Sequence, residues 1–165
     1  MGKILIVDDE DDVRLSLERR LKREGHTVET ASSEAVAIER INATPTPFDV
    51  VLADMLMEGA YSGVEVLKAT LTRDIFTEVV ILTAYGNVSN AVECMKMGAF
   101  DYVEKNIPNV DVYDLICIKI DQALERRRSS LTTLRKLEQF SKIRNPEALT
   151  FDIGSGDIKD DNPTA

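Results

Sequence analysis

The chain has 165 residues, 44% of them hydrophobic and 30% charged, with a formal net charge of −9; that is room for one domain with a real core plus an appendage, and short for two full domains. No apolar run approaches the ~20 residues needed to span a bilayer, and the N-terminus lacks the charged and apolar regions of a signal peptide, so a cytoplasmic protein without membrane contact is expected. The acidic balance argues against broad contact with nucleic acid, and the single histidine, His26, cannot build a His-based metal or triad site alone.

Taken in chain order, short apolar runs alternate with helical patterns. Lys3-Ile4-Leu5-Ile6-Val7 reads as a buried strand and runs into Asp8-Asp9. Val13, Leu17 and Leu21 then recur at helical spacing until Gly25. His26 falls in the turn before Thr27-Val28-Glu29-Thr30, which alternates like a short, part-exposed strand. Ser33 is placed to cap a helix that buries Val36, Ala37, Ile38 and Ile41 and closes at the Pro45 and Pro47 turn. A third strand, 49–53, runs into Asp54, and Gly63 opens a helix carrying Val66, Leu67 and Leu71. The fourth strand, 79–82, runs into Thr83; a helix from Val88 to Met97 stops at Gly98. The fifth strand, 100–103, leads past Tyr102 and Val103 to Lys105. Cys94 and Cys117 lie in helical patterns without CxxC spacing and are expected to be reduced, partly buried thiols.

This alternation predicts an α/β fold: a flavodoxin-like, doubly wound, five-stranded parallel sheet of order 2-1-3-4-5 with helices on both faces. Strands one and three are then neighbours, and Asp8, Asp9 and Asp54 fall at the crevice between their carboxyl ends. Three carboxylates brought together repel and raise their own pKa values unless a cation intervenes. Mg²⁺ suits them because it takes hard oxygen ligands and keeps exchangeable water. The Lys105 ammonium can offset added negative charge, the Thr83 hydroxyl can donate to a phosphoryl oxygen, and Ala84 leaves room for that group. Such a site performs phosphoryl chemistry by positioning and electrostatics.

Over roughly residues 2–125 the chain resembles the receiver domain of two-component response regulators. The resemblance is carried by Ile6-Val7-Asp8-Asp9-Glu10, Leu52-Ala53-Asp54-Met55, Leu82-Thr83-Ala84 and Gly98-Ala99-Phe100-Asp101-Tyr102-Val103-Glu104-Lys105. It implies that Asp54 accepts a phosphoryl group from a phosphohistidine of a histidine kinase or phosphotransfer protein. It also implies that Asp9, Asp54 and the Leu56 backbone carbonyl hold Mg²⁺ directly while Asp8 acts mainly through water. Thr83 and Lys105 would contact the phosphoryl group, and Tyr102 would be the aromatic that moves inward when Thr83 is drawn toward it. The chain departs from the family pattern at Glu58 and Ser62, where receivers usually carry Pro and Gly; Gly63 suggests a one-residue insertion in that loop. Asn106 also stands where Pro usually follows the Lys, the next proline being Pro108.

The fifth helix meets no Gly or Pro until Pro146. Leu115, Ile116, Ile118 and Ile120 are expected to pack on the sheet. Beyond them Ile120, Leu124, Leu131 and Leu134 fit a seven-residue rhythm that Arg127 interrupts. A helix from Val112 to Ile143 would be about 48 Å long, against about 35 Å across for the domain, and is expected to project. The boundaries expected are a receiver at 1–125, a basic helical extension at 126–144 and an acidic, disordered tail at 145–165. The Arg126-Arg127-Arg128 run reads as a solvated face, and the helix offers a route to a homodimer.

Competing readings are a degenerate receiver acting as a constitutive interaction module, a phosphatase with an aspartyl-phosphate intermediate, and a flavodoxin. The phosphatase needs an Asp-x-Asp loop after strand one, and the flavodoxin needs a Ser/Thr-Gly loop; Asp8-Asp9-Glu10 supplies neither. Leu56 and Tyr85 flank the path of hydrolytic water, which predicts slow autodephosphorylation. Leu56→Asn combined with Tyr85→Glu is expected to shorten the phosphoryl half-life; an unchanged half-life would remove that role from both side chains.

Overall fold

The structure is a computed structural model that describes residues 1–59, 61–84 and 88–144. Tyr85 and the acidic segment 145–165 lie outside the described residues. Ten elements alternate along the chain: β1 (Lys3–Val7), α1 (Asp11–Arg23), β2 (Thr27–Ala31), α2 (Glu34–Ala43), β3 (Val50–Asp54), α3 (Ser62–Arg73), β4 (Glu78–Thr83), α4 (Val88–Lys96), β5 (Asp101–Glu104) and α5 (Val112–Arg144). The five strands form one parallel sheet in the order β2-β1-β3-β4-β5, the order expected from the sequence. The chain falls into two compact units, Met1–Ser130 and Leu131–Ala165. The second contains the helical residues Leu131–Arg144, on which Leu134, Leu137, Phe140 and Ile143 are exposed.

The central strands are buried on both faces, which is why they read as continuous apolar runs rather than as alternating ones. On one face Leu5, Val7, Val51, Ala53, Val79 and Ile81 pack with Ala37, Ile41, Val66, Leu67 and Cys94 of α2, α3 and α4. On the other, Ile4, Ile6, Val50, Leu52, Val80 and Leu82 pack with Leu17, Leu21, Ile116 and Ile120 of α1 and α5. The period of two along each strand thus sorts one apolar run into two cores. Both cysteines are free thiols and buried.

Local signals act where they were read. Ser33 Oγ accepts from the Val36 N–H at 3.2 Å and starts α2. Gly25 adopts φ +93 at the end of α1, a conformation side chains resist. His26 sits just before β2, its Nδ1 accepting from the Gly2 N–H at 3.1 Å.

Two expectations about α5 need correction. Ile118 does not pack on the sheet; it is 53% exposed, because the turn that buries Ile116 and Ile120 points it outward. Arg127 is neither part of a solvated face nor a gap in a pairing seam. It is buried, with Nε 2.9 Å from Asp49 Oδ1 and Nη1 3.1 Å from Asp74 Oδ2. Leu124 likewise belongs to the core beneath α1 and α5. The stripe Ile120-Leu124-Arg127 is spent on the receiver itself, and the rhythm read as a seam begins with residues that face inward.

The α3 start explains the displaced glycine. The Gly63 N–H donates to the Met55 carbonyl at 3.2 Å, and a Cβ at Gly63 would lie 2.8 Å from Met55 Cα and 2.9 Å from the Asp54 carbonyl oxygen. Only a residue without Cβ lets α3 approach the end of β3 this closely. Gly63→Ala is expected to lower stability by about 1–3 kcal/mol, read as a lower urea midpoint. An unchanged midpoint would mean that the loop relaxes freely, and that the close approach is not needed.

Candidate functional site

Parallel strands put their carboxyl ends at one edge of the sheet, so residues at the ends of β1, β3, β4 and β5 must meet there. Asp8 follows β1, Asp54 ends β3, Thr83 ends β4 and Lys105 follows β5 by one residue. The Lys105 N–H donates to the Thr83 carbonyl at 2.7 Å and carries the ladder past the last paired residues. Its side chain then turns across the edge. Lys105 Nζ donates to Asp8 Oδ2 at 2.7 Å and to Asp54 Oδ2 at 3.1 Å, and lies 3.7 Å from Glu10 Oε1.

Each buried acid is also held by the amide two residues on. Asp8 Oδ1 accepts from the Glu10 N–H at 2.9 Å and Asp54 Oδ1 from the Leu56 N–H at 3.3 Å. Arg14 Nη1 donates to the Asp8 carbonyl at 2.8 Å and fixes the loop between β1 and α1. Asp8, Asp54 and Thr83 are all buried.

The carboxylates that converge are Asp8, Glu10 and Asp54, each offering an oxygen within 4.8 Å of the others. Asp9 is exposed and stands outside that group. Glu10 was missed by sequence reasoning, although a third acid beside Asp8-Asp9 was the available signal. It occupies the position before α1, where its extended backbone swings the side chain back over the sheet edge. Three carboxylates against one ammonium leave an excess of negative charge, and hard oxygen donors of this kind fit a small divalent cation such as Mg²⁺.

Burial pushes the Asp54 carboxyl up from 3.8 to about 6, with the Asp8 charge adding to it and Lys105 and the Leu56 N–H opposing it. The desolvation of a carboxylate in this crevice outweighs a cation 3.1 Å away. For Lys105, burial lowers the pKa, but the hydrogen bond to Asp8 and the Asp54 charge more than offset it, so the ammonium is held above its ordinary value.

The neighbouring loops account for the departures in sequence. Asn106 Nδ2 donates to the Ala84 carbonyl at 3.2 Å, tying the segment after β5 to the segment after β4 where a proline was expected. Leu56 is 42% exposed just after β3. Tyr102 packs against the α2–α3–α4 core, with its hydroxyl buried and, among the described residues, without a hydrogen-bond partner.

Sheet order and strand-end acids define a doubly wound α/β domain with an acidic crevice at its carboxyl edge. Residues 4–117 match the family described as response regulator receiver domain, and the chain belongs to that family. It is 36% identical over 139 residues to the regulatory protein AtoC of Escherichia coli, covering 84% of this chain and 28% of that one. It is 32% identical over 123 residues to a putative NtrX-like response regulator of Rickettsia bellii, covering 74% of this chain and 24% of that one. The chain therefore spans about a quarter of the length of these curated relatives. A crystal structure of a response regulator receiver domain protein from Clostridium thermocellum superimposes with a TM-score of 0.68 at 30% identity, over 78% of this chain and 98% of that one. Among the described residues, no helix is long and apolar enough to cross a membrane.

The raised Asp54 pKa has a consequence for stability. The folded chain binds this proton more tightly than the unfolded one, so stability falls as pH rises from about 4 to about 6 and stays reduced above that. In EDTA near neutral pH, Asp54→Asn is expected to be more stable than wild type, by on the order of 2 kcal/mol. The gain should vanish below about pH 4, where Asp54 is neutral in both states. A gain independent of pH would show that the buried charge is not its source.

Proposed function

We propose that this protein is a phosphoryl-accepting signalling module in which Asp54 takes a phosphoryl group from the phosphohistidine of a histidine kinase or phosphotransfer protein. The observation that carries this reading is Lys105, whose ammonium reaches Asp8 and Asp54 together at the sheet edge. That contact also weighs against a degenerate module that is never phosphorylated, since nothing in a silent receiver calls for a buried cation between two acids.

Asp54 Oδ attacks the phosphorus in line, and the bond from phosphorus to the donor nitrogen breaks. Mg²⁺ would be held by Asp54 and the Leu56 backbone carbonyl, with Asp9 turning in from its exposed position, Asp8 acting mainly through water and Glu10 converging on the same place, and would supply charge neutralisation for the transferring group. Lys105 exchanges its carboxylate contacts for a phosphoryl oxygen and keeps the transferred charge paired. The Thr83 hydroxyl donates to another phosphoryl oxygen, and Ala84 leaves the space. The chain thus catalyses its own phosphorylation and slow dephosphorylation and is not otherwise an enzyme.

Tyr102 is the switch residue in this reading. An unsatisfied buried hydroxyl costs about 1–3 kcal/mol, which suits a side chain with two accessible positions. The output surface is the face of α4, β5 and α5, where Val92, Met95 and Ile118 are exposed and Lys119 Nζ lies 2.7 Å from Asp101 Oδ2. From it the signal passes to a partner, or to a second copy through the exposed apolar residues of Leu131–Arg144. No direct role with nucleic acid or membrane is assigned. Residues 1–125 are the phosphoacceptor domain, 126–144 a basic extension and 145–165 an acidic tail.

Acetyl phosphate with Mg²⁺ is expected to add one phosphoryl mass to the wild type, seen in intact mass spectra. Asp54→Ala or chelation of the metal should abolish the adduct. An adduct that survives in Asp54→Ala places the acceptor elsewhere, and no adduct at all, with Mg²⁺ binding also absent, would favour the silent module.

A further inference from the structure

The Arg126–Arg127 pair lies at the opposite edge of the sheet from Asp54, and its contacts are unusually distributed. Arg127 Nε donates to Asp49 Oδ1 at 2.9 Å and its Nη1 to Asp74 Oδ2 at 3.1 Å. Asp49 immediately precedes β3, and its other oxygen, Oδ2, accepts from the Lys3 N–H at 2.7 Å where β1 begins. Arg126 Nε lies 3.5 Å from Glu78 Oε1, the first residue of β4, and its guanidinium sits 5.6 Å from the centre of the Phe100 ring, just before β5. The Glu78 N–H donates to the Asp49 carbonyl at 3.1 Å and closes the circuit. The two arginines therefore touch, directly or through Asp49, the amino ends of the same four strands whose carboxyl ends lead to Asp8, Asp54, Thr83 and Lys105.

We propose that Arg127, supported by Arg126, is a clasp through which the last turns of α5 within the receiver, residues 120–130, read the state of the Asp54 site. β1, β3 and β4 between the two edges are stiff connectors. Ile4–Val7, Val50–Ala53 and Val79–Leu82 are buried and laddered to their neighbours in register, so a shift of one strand end is not absorbed by slack along the way. Each of these strands spans about 17 Å, and a lengthwise displacement at Thr83 or Asp54 arrives at Glu78 or Asp49. There it meets a fork of fixed geometry rather than a mobile side chain, because guanidinium–carboxylate contacts tolerate little misalignment. Arg127 is a positioning residue for α5 and takes no part in the chemistry.

This inference rests on the reading of Asp54 as phosphoacceptor, and the test separates the two. Hydrogen exchange by mass spectrometry is followed on the full chain with and without beryllofluoride and Mg²⁺, for wild type, Arg127→Met, Arg127→Lys and Asp74→Asn. In wild type, beryllofluoride should protect the peptides around Asp54 and Lys105 and also change exchange at 120–130. In Arg127→Met those site peptides should still be protected, while 120–130 exchanges about tenfold faster and no longer responds to beryllofluoride. Arg127→Lys should retain part of the response, and Asp74→Asn supplies a milder break if Arg127→Met fails to fold. A wild-type response at 120–130 that persists in Arg127→Met or Asp74→Asn overturns the clasp and leaves the phosphoacceptor reading intact. Absence of any protection around Asp54 in wild type overturns both.

Discussion

The structure turns on one cation placed among acids at the open edge of a sheet. Parallel topology forces the ends of β1 and β3 together, and both end in aspartates that are buried. Left alone, such a pair would shed its charge by taking up protons. Lys105, delivered from β5 two strands away from β3, reaches both. The contact therefore crosses the sheet edge and ties the end of the fifth strand to the centre of the fold. A single ammonium is not enough to make the crevice comfortable, because Asp54 still titrates near 6. The site is held short of positive charge, which is the condition under which a divalent cation binds with a useful gain.

Much of this was legible in the chain because burial on both faces leaves a simple mark. Ile4 to Val7, Val50 to Ala53 and Val79 to Leu82 are uninterrupted apolar runs, each followed by a polar residue that has nowhere to go but the sheet edge. The alternation marked a parallel sheet, its order followed from likeness to the flavodoxin-type winding, and the strand-end residues followed from the order. What was not legible depends on side-chain direction over short range. Asp9 and Glu10 are adjacent acids, and no periodicity says which one swings inward; the backbone before α1 decides it for Glu10. Ile118 looks like its neighbours in composition but falls on the wrong side of a helical turn.

Arg127 was misread for a different reason. A charged residue at a seam position normally signals a weak or broken pairing surface, and that inference assumes the partners lie on another helix. Here they lie on two loops of the same domain, at Asp49 and Asp74, dozens of residues away in sequence. Nothing local marks those aspartates as a matched pair. A long-range ion pair is the kind of contact that helical spacing cannot reveal, and it changes the meaning of every apolar residue around it. Leu124 becomes core and lies against Gly2, where a Cβ would come within 2.4 Å of Leu124 Cδ2 and make that side chain shift.

The two edges of the sheet are thus built on one principle, cations set among acids, in different proportions. At the carboxyl edge one lysine serves several acids, leaving a shortage of positive charge that chemistry can use. At the amino edge two arginines meet Asp49, Asp74 and Glu78 with a partner for each acid. Glu78 is still pushed toward its protonated form by burial, with Arg126 and Arg127 opposing that push. The difference is one of balance. A cluster in which every acid has a guanidinium contact resists change and can serve as an anchor, whereas one left shorter of positive charge responds to whatever cation or anion arrives. Placing the responsive cluster and the anchored one at opposite ends of the same buried strands gives the domain a place to change and a fixed reference against which that change can be felt.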